Sequence, residues 1–333
     1  MGGASLLFCD GAPVGAGGLD RGAPLCRFPD YYACMIRLAF STVACPTWTL
    51  ERVAAAASHW GYLGVELRTF GQGGSQFASD PGLIDGRKLR RVLDDAGAEL
   101  AGLATGVRFD APIFPPVLGQ LMPWNDASVR EGRHMVSIAR ECGTEYVRVY
   151  AFELAGRERT SAAIKRIAGR LSKVCDQARN RDVTVLLENG GGFARAADIL
   201  EIIEAVNSPQ LAACYDGAAA WQAGEDVAQG CALLAGRLRM VRVRDVREGR
   251  PARLGMGDAP CRALVRAAVD ADAVWGTDPW VVYTWDRAWL PELSPAEEVL
   301  PHAAPLIAEW AGQSLGQRRR YKARQSAAPA MMI

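Results

Sequence analysis

The chain has 333 residues, 50% hydrophobic and 23% charged, enough to bury one large core and unlike a disordered or collagen-like composition. No run of 18 apolar residues free of charge occurs, so no spanning helix and no membrane partner are expected. Net charge is +1, but Arg318, Arg319, Arg320, Lys322 and Arg324 sit in a tail without acids; without them the first 317 residues carry −4, the wrong sign for tracking nucleic acid.

Residues 1–34 are rich in Gly, Pro and Ala without an apolar period and read as a disordered or non-native extension, with Met35 as an alternative start. From there strand-like runs alternate with helical-period runs. Strands are predicted at 37–40, 64–68, 100–105, 146–150, 183–188, 211–216, 238–244 and 280–285. Helices are predicted near 49–60, 85–96, 126–142, 160–180, 195–206, 225–236, 259–272 and 295–310. The last helix carries a start signal, with Ser294 as N-cap, Pro295 at N1 and Glu297 three residues after the cap. Residues 312–333 form a basic, low-pattern tail.

Eight strand–helix units over 35–311 predict a single (β/α)8 TIM barrel. No Gly-x-Gly-x-x-Gly follows the first strand, as a dinucleotide-binding fold would require. Nine cysteines is an odd number, and they show no Cys-x-x-Cys spacing; with no secretory leader pattern, a reducing cytoplasm is expected. Cys142, Cys175, Cys214, Cys231 and Cys261 fall in or beside predicted elements, as buried free thiols do.

Barrel chemistry sits at the C-terminal ends of the strands. The polar residues there are Ser41, Thr42, Glu66, Arg68, Thr105, Arg108, Arg148, Tyr150, Glu188, Asn189, Asp216, Arg242, Arg244, Asp245, Thr284, Asp286 and Arg287. Glu188 ends a run apolar enough to be buried on both faces, so its carboxylate must be paired, protonated or functional; Asp216 closes a similar run. Arg68, Arg108 and Arg148 suit an anionic or polyhydroxylated substrate, and pairing with nearby carboxylates suits them equally. The three histidines, His59, His134 and His302, all fall in predicted helices, which argues against a His-ligated metal.

The motifs Phe40-Ser-Thr-Val-Ala-Cys-Pro-Thr-Trp48, Gly61-Tyr-Leu-Gly-Val-Glu-Leu-Arg68, Tyr146-Val-Arg-Val-Tyr150, Leu187-Glu-Asn-Gly-Gly-Gly-Phe193, Leu254-Gly-Met-Gly-Asp258 and Trp285-Asp-Arg-Ala-Trp-Leu-Pro-Glu292 occur in this order. In them the chain resembles the sugar phosphate isomerase/epimerase family, the xylose isomerase-like TIM barrels, over nearly all of 35–310. The resemblance implies one divalent metal held by a Glu on the fifth strand, an Asp on the sixth, a His on the seventh and a Glu on the eighth. The first two correspond to Glu188 and Asp216. The seventh strand reads Arg242-Val-Arg-Asp245 in place of His-x-Lys-Asp, and the eighth reads Thr284-Trp-Asp286 in place of Glu-Trp-Glu. Gly190 and Ala219 stand where further histidines often occur.

Two of the four expected ligands are missing and one position holds a cation. The expected site therefore has no resident metal, with only weak divalent binding at Glu188 and Asp216 left open. In this reading Arg242 is the electrophile, Glu188 the base and Asp286, two residues beyond Thr284 on a strand of period 2 and so facing the same way, a second acid/base, with Asp216 completing the catalytic group. Glu66, Arg68, Arg108, Arg148, Tyr150, Asn189, Arg244 and Thr284 are the candidate substrate-binding residues. The expected reaction is isomerase- or epimerase-type proton transfer on a small sugar-like, anionic substrate. A lyase or dehydratase acting through the same enolate and a non-catalytic binding barrel are the alternatives, and a homo-oligomer stays open.

Overall fold

A computed structural model of the chain describes residues 36–71, 76–111, 127–154 and 158–313. The extension assigned to 1–34 and all but the first two residues of the tail assigned to 312–333 lie outside them. Those two, Gly312 and Gln313, close the last helix: Gln313 N–H donates to Ala308 O at 2.8 Å.

The elements are β1 (Arg37–Ser41), α1 (Leu50–Trp60), β2 (Gly64–Arg68), α2 (Gly86–Ala96), β3 (Glu99–Arg108), α3 (Ala127–Cys142), β4 (Tyr146–Tyr150), α4 (Thr160–Arg179), β5 (Thr184–Glu188) and α5 (Ala196–Val206). They continue with β6 (Leu211–Asp216), α6 (Gly217–Gln222), α7 (Val227–Leu234), β7 (Leu238–Val243), β8 (Asp245–Arg247), β9 (Arg250–Ala252), α8 (Cys261–Trp275), β10 (Trp280–Tyr283) and α9 (Ala296–Trp310). Seven strands, β1 to β7, and then β10 pair in parallel and close into a barrel in which β10 lies between β7 and β1. This is the predicted single (β/α)8 barrel.

The helices start and stop for local reasons. The Asp85 side chain accepts from Arg87 and Lys88 N–H at 2.9 and 3.0 Å, capping α2, and Gly97 ends that helix in the left-handed region. Thr49 caps α1, and Gly61 ends it at φ 84°. At α9 the prediction is off by one position. Pro295 is still extended (φ −56°, ψ 150°), so the helix opens at Ala296, and Ser294 Oγ accepts from Arg253 Nη2 at 3.0 Å instead of capping. Glu297 pairs with Arg52.

Two further departures matter for the site. The sixth strand runs straight into α6, which Asp216 caps by accepting from Ala219 N–H at 3.0 Å. After β7 the chain forms the antiparallel hairpin β8–β9 before α8, in a stretch where the sequence predicts no element.

Two cores result. The larger lies between the strands and the surrounding helices. The smaller fills the barrel interior with Ala39, Ala101, Tyr146, Leu186, Ala212, Cys214, Met240, Trp280 and Val282. Side chains alternate along a strand, so residues two further along face the same interior. Thus Ser41, Arg148, Glu188, Asp216, Arg242 and Thr284 form the layer above this apolar plug, and that layer is polar.

Candidate active site at the barrel mouth

The polar layer is a chain of alternating charge. Glu66 Oε1 accepts from Arg148 Nε at 2.8 Å, and Arg148 Nη1 bonds Glu188 Oε2. Glu188 Oε1 accepts from Arg242 Nη1 at 2.5 Å, and the same nitrogen lies 3.8 Å from Asp216 Oδ2. Asp216 accepts from Arg244 Nε at 2.8 Å, and Arg244 Nη1 lies 3.6 Å from Asp286 Oδ2. Arg242 Nη2 is fixed by donating to Thr284 Oγ1 at 3.0 Å.

These contacts favour the charged forms of Glu66, Asp216 and Arg242. Burial alone would raise Glu66, but Arg148 and Arg242 hold it below the usual carboxylate range. Asp216 is likewise held low by Arg244 and Arg242 against the cost of its burial. Burial and the neighbouring Arg148 pull Arg242 down, yet Glu188, Glu66 and Asp216 together keep it above the ordinary guanidinium value.

Above this layer opens a cleft of about 680 Å³. Of the predicted residues, Arg68, Arg108, Tyr150, Glu188, Asn189, Asp216, Arg242 and Arg244 line it. Glu66, Arg148 and Thr284 do not: they lie beneath its floor, at most 1% exposed, so their expected contact with substrate is corrected to support of the layer that lines it.

Asp286 also needs correction. The strand ends at Tyr283 and the chain then turns, with Trp289 N–H donating to Asp286 O at 3.0 Å, so strand alternation does not extend to Asp286. It stands at the rim beside Arg244. Asn189 borders the cleft, but its side chain is engaged elsewhere. Nδ2 donates to Ala194 O at 2.7 Å and to Asp216 O at 3.1 Å, and Oδ1 accepts from Asp216 N–H at 2.6 Å. It ties the end of β5 to the end of β6. Arg108 is a rim residue, paired with Asp110 at 3.0 Å and Glu153 at 2.7 Å.

Several site features were not read from the sequence. Trp289 lines the cleft from the loop after β10, and Phe70 and Phe77 meet it at 6.3 and 6.2 Å. Three buried aspartates hold the mouth loops by their backbones. Asp80 accepts from Phe70 and Gly82 N–H, Asp110 from Phe152 and Glu153 N–H, and Asp245 from Gly255 and Gly257 N–H, over distances of 2.6 to 3.1 Å. The last case explains the Gly-Met-Gly motif. A Cβ on Gly257 would lie 2.1 Å from Asp245 Oδ1, and Gly255 has φ +82°. The glycines at 190 and 191 are required in the same way, because a Cβ on Gly191 would meet Phe152 O at 2.3 Å.

The donor set does not suit the metal implied by the resemblance. Among the described residues no group of three or more His, Cys, Asp or Glu side chains could hold an ion. His302 Nε2 lies 3.1 Å from Leu254 O, and the other two histidines are on α1 and α3. The guanidinium of Arg242 occupies the space between the two carboxylates. No helix among the described residues is long and apolar enough to cross a membrane.

The fold has solved counterparts. A structure of L-ribulose 3-epimerase superposes with TM-score 0.65 at 19% identity, covering 90% of this chain and 100% of that one. The IOLI protein with a bound zinc atom gives 0.67 at 15%, covering 83% and 98%. The probable 3-DHS dehydratase AsbF from Bacillus anthracis gives 0.64 at 13%, covering 82% and 98%. No curated protein matches the chain in sequence. The family model described as xylose isomerase-like TIM barrel matches residues 53–308, which runs from within α1 into α9 and includes every charged residue of the mouth described above, so the chain belongs to that family.

Proposed function

We propose that this chain is a sugar isomerase or epimerase that moves a proton beside the carbonyl of a small polyhydroxylated, anionic substrate, with the Arg242 guanidinium in place of a divalent metal. The observation that carries this reading is the position of Arg242 in the cleft, 2.5 Å from Glu188 and held by Thr284. A buried, oriented guanidinium stabilises the negative charge that develops on an enolate oxygen, which is the role a metal would otherwise fill.

Glu188 is the base of this reading. Each of its oxygens accepts one guanidinium N–H, and a carboxylate oxygen has two lone pairs, so one remains on each in a residue that lines the cleft. The C–H proton goes to Glu188, the C–H electron pair forms the enolate, and the carbonyl oxygen takes the charge against Arg242. Return of the proton from Glu188 to the former carbonyl carbon, with the proton of the neighbouring hydroxyl passing to the oxygen that took the charge, gives isomerisation. Inversion at the same carbon needs a donor on the other face. Tyr150 lines the cleft with its O–H free to donate, but it pairs in register with Glu188 on the adjacent strand and shares Arg148 with it, so it stands on the base's own side and the opposite-face donor falls to Asp286 at the rim.

One observation favours a second reading, a binding barrel without turnover: both Glu188 oxygens are already engaged by arginines, as in a purely structural ion pair. Solvent exchange separates the two. The protein is incubated in D2O with a panel of aldoses, ketoses and sugar acids, and deuterium at the carbon beside the carbonyl is followed by NMR. The enzyme reading expects incorporation that chelator leaves intact and that Glu188→Gln lowers by about 100-fold. Absence of exchange across the panel supports the binding barrel.

A further inference from the structure

Four arginines line the cleft, and three of them pair with carboxylates: Arg108 with Asp110 and Glu153, Arg242 with Glu188, Arg244 with Asp216. Arg68 has no carboxylate within 4 Å among the described residues, although it is only 8% exposed. Glu66, two residues earlier on β2, pairs with Arg148 instead. Arg68 Nη1 donates to Thr105 O at 2.7 Å and Tyr150 OH at 3.3 Å, which fixes the group, while Nε is buried without a partner.

The surroundings restrict how a ligand can approach. The guanidinium carbon lies 4.5 Å from the Phe70 ring centre and 5.6 Å from that of Trp289, so aromatic rings cover the guanidinium and leave its edge for approach. Nη2 lies at that edge beside Gly106, itself a cleft residue. A Cβ at position 106 would sit 3.3 Å from Nη2, and glycine keeps that space open. A buried cation lacking its counter-charge, with a free edge opening on a cleft, is an incomplete ion pair, and an oxyanion arriving in the guanidinium plane completes it.

We infer that Arg68, through the edge left open by Gly106, is the anchor for an oxyanion group, carboxylate or phosphate, at one end of the substrate. It is a specificity-determining residue that makes this a site for acidic rather than neutral sugars. Trp289, about half exposed in the same wall, then offers an aromatic face to the carbon skeleton between that group and Glu188. The inference rests on reading the cleft as a substrate site, but not on turnover, since a binding barrel would select the same ligands.

The test is calorimetric titration of the full chain with inorganic phosphate, D-glucuronate and D-glucose. The wild type is expected to bind at least one of the two oxyanions saturably and about tenfold or more tighter than D-glucose. Binding of phosphate alone identifies a phosphate site, and binding of D-glucuronate without phosphate a carboxylate site. Arg68→Met removes the preference, and Gly106→Ala weakens it with the guanidinium retained; the second variant decides if the first fails to fold. The proposal is overturned if neither oxyanion binds more tightly than D-glucose, or if both variants keep the wild-type preference. Deuterium exchange on neutral sugars alongside that negative result would leave the enzyme reading standing and remove only the acidic substrate.

Discussion

Arg242 Nη1 lies 2.5 Å from Glu188 Oε1, so the position that should carry a metal ligand carries a cation bonded to the carboxylate expected to bind that metal. The same guanidinium reaches Asp216 and Thr284. Arg242→Ala leaves Glu188 with one guanidinium partner and Asp216 with Arg244 alone. Removing one partner of a buried pair leaves a desolvated charge, and the expected loss of stability is about 3 kcal/mol. Chemical denaturation checks it; an unchanged midpoint would mean that the contact contributes nothing.

Arg148→Met should cost more. It is 1% exposed and serves both Glu66 and Glu188, so two buried carboxylates lose a partner at once. The expected loss is about 3–5 kcal/mol, and it should shrink when Glu66→Gln is added, because the neutral amide no longer needs the cation. A double-mutant cycle measures this, and strict additivity would show that the two residues are not coupled.

Acid should unfold the protein through this layer. Glu66 and Asp216 are held below the usual carboxylate range by Arg148, Arg242 and Arg244. Carboxyl groups with depressed folded values stabilise the native state above their unfolded value, roughly pH 4, and that stabilisation is lost as pH falls through the folded value. The melting temperature should therefore be flat from neutral pH to about 5 and fall steadily below about 4. Asp216→Asn should reduce the slope of that fall; a slope equal to the wild type would locate the acid sensitivity elsewhere.

The cysteines give an independent check on the packing. Cys45, Cys142, Cys175, Cys214, Cys231 and Cys261 are all buried free thiols. Burial pushes Cys142, Cys175 and Cys231 up to about 12. Those six of the nine thiols should resist Ellman's reagent at pH 8 in the native protein and react on denaturation. Rapid native modification of any of the six, located by peptide mapping, would contradict the packing of its element.

The barrel was legible because eight units repeat one pattern, and Glu188, Asp216 and Arg242 were legible because strand period fixes which residues face the interior. Depth within the barrel was not legible. Arg148 and Tyr150 are two residues apart on one strand and face the same way, yet one lies under the floor and the other lines the cleft. Asp286 was misplaced because alternation was extended past Tyr283, where the chain turns. Trp289, Asp80 and Asp110 escaped notice because loop residues have no period to reveal them. Asn189 carries the fifth-strand motif, but only the structure shows its amide bound to the backbone of Asp216 and Ala194.

The proposal that Arg242 stands in a metal's place is tested most directly by calorimetric titration of the full chain with Mn²⁺, beside the Arg242→His/Thr284→Glu double variant. That variant restores one imidazole and one carboxylate around Glu188 and Asp216, a set suited to a borderline-hard ion. The wild type is expected to show no saturable binding in the micromolar range, because a fixed cation opposes the ion and too few donors remain. The double variant is expected to gain a single site. One tightly bound Mn²⁺ per wild-type chain would contradict the account, since Glu188 and Asp216 would then be metal ligands and Arg242 would not stand in the metal's place.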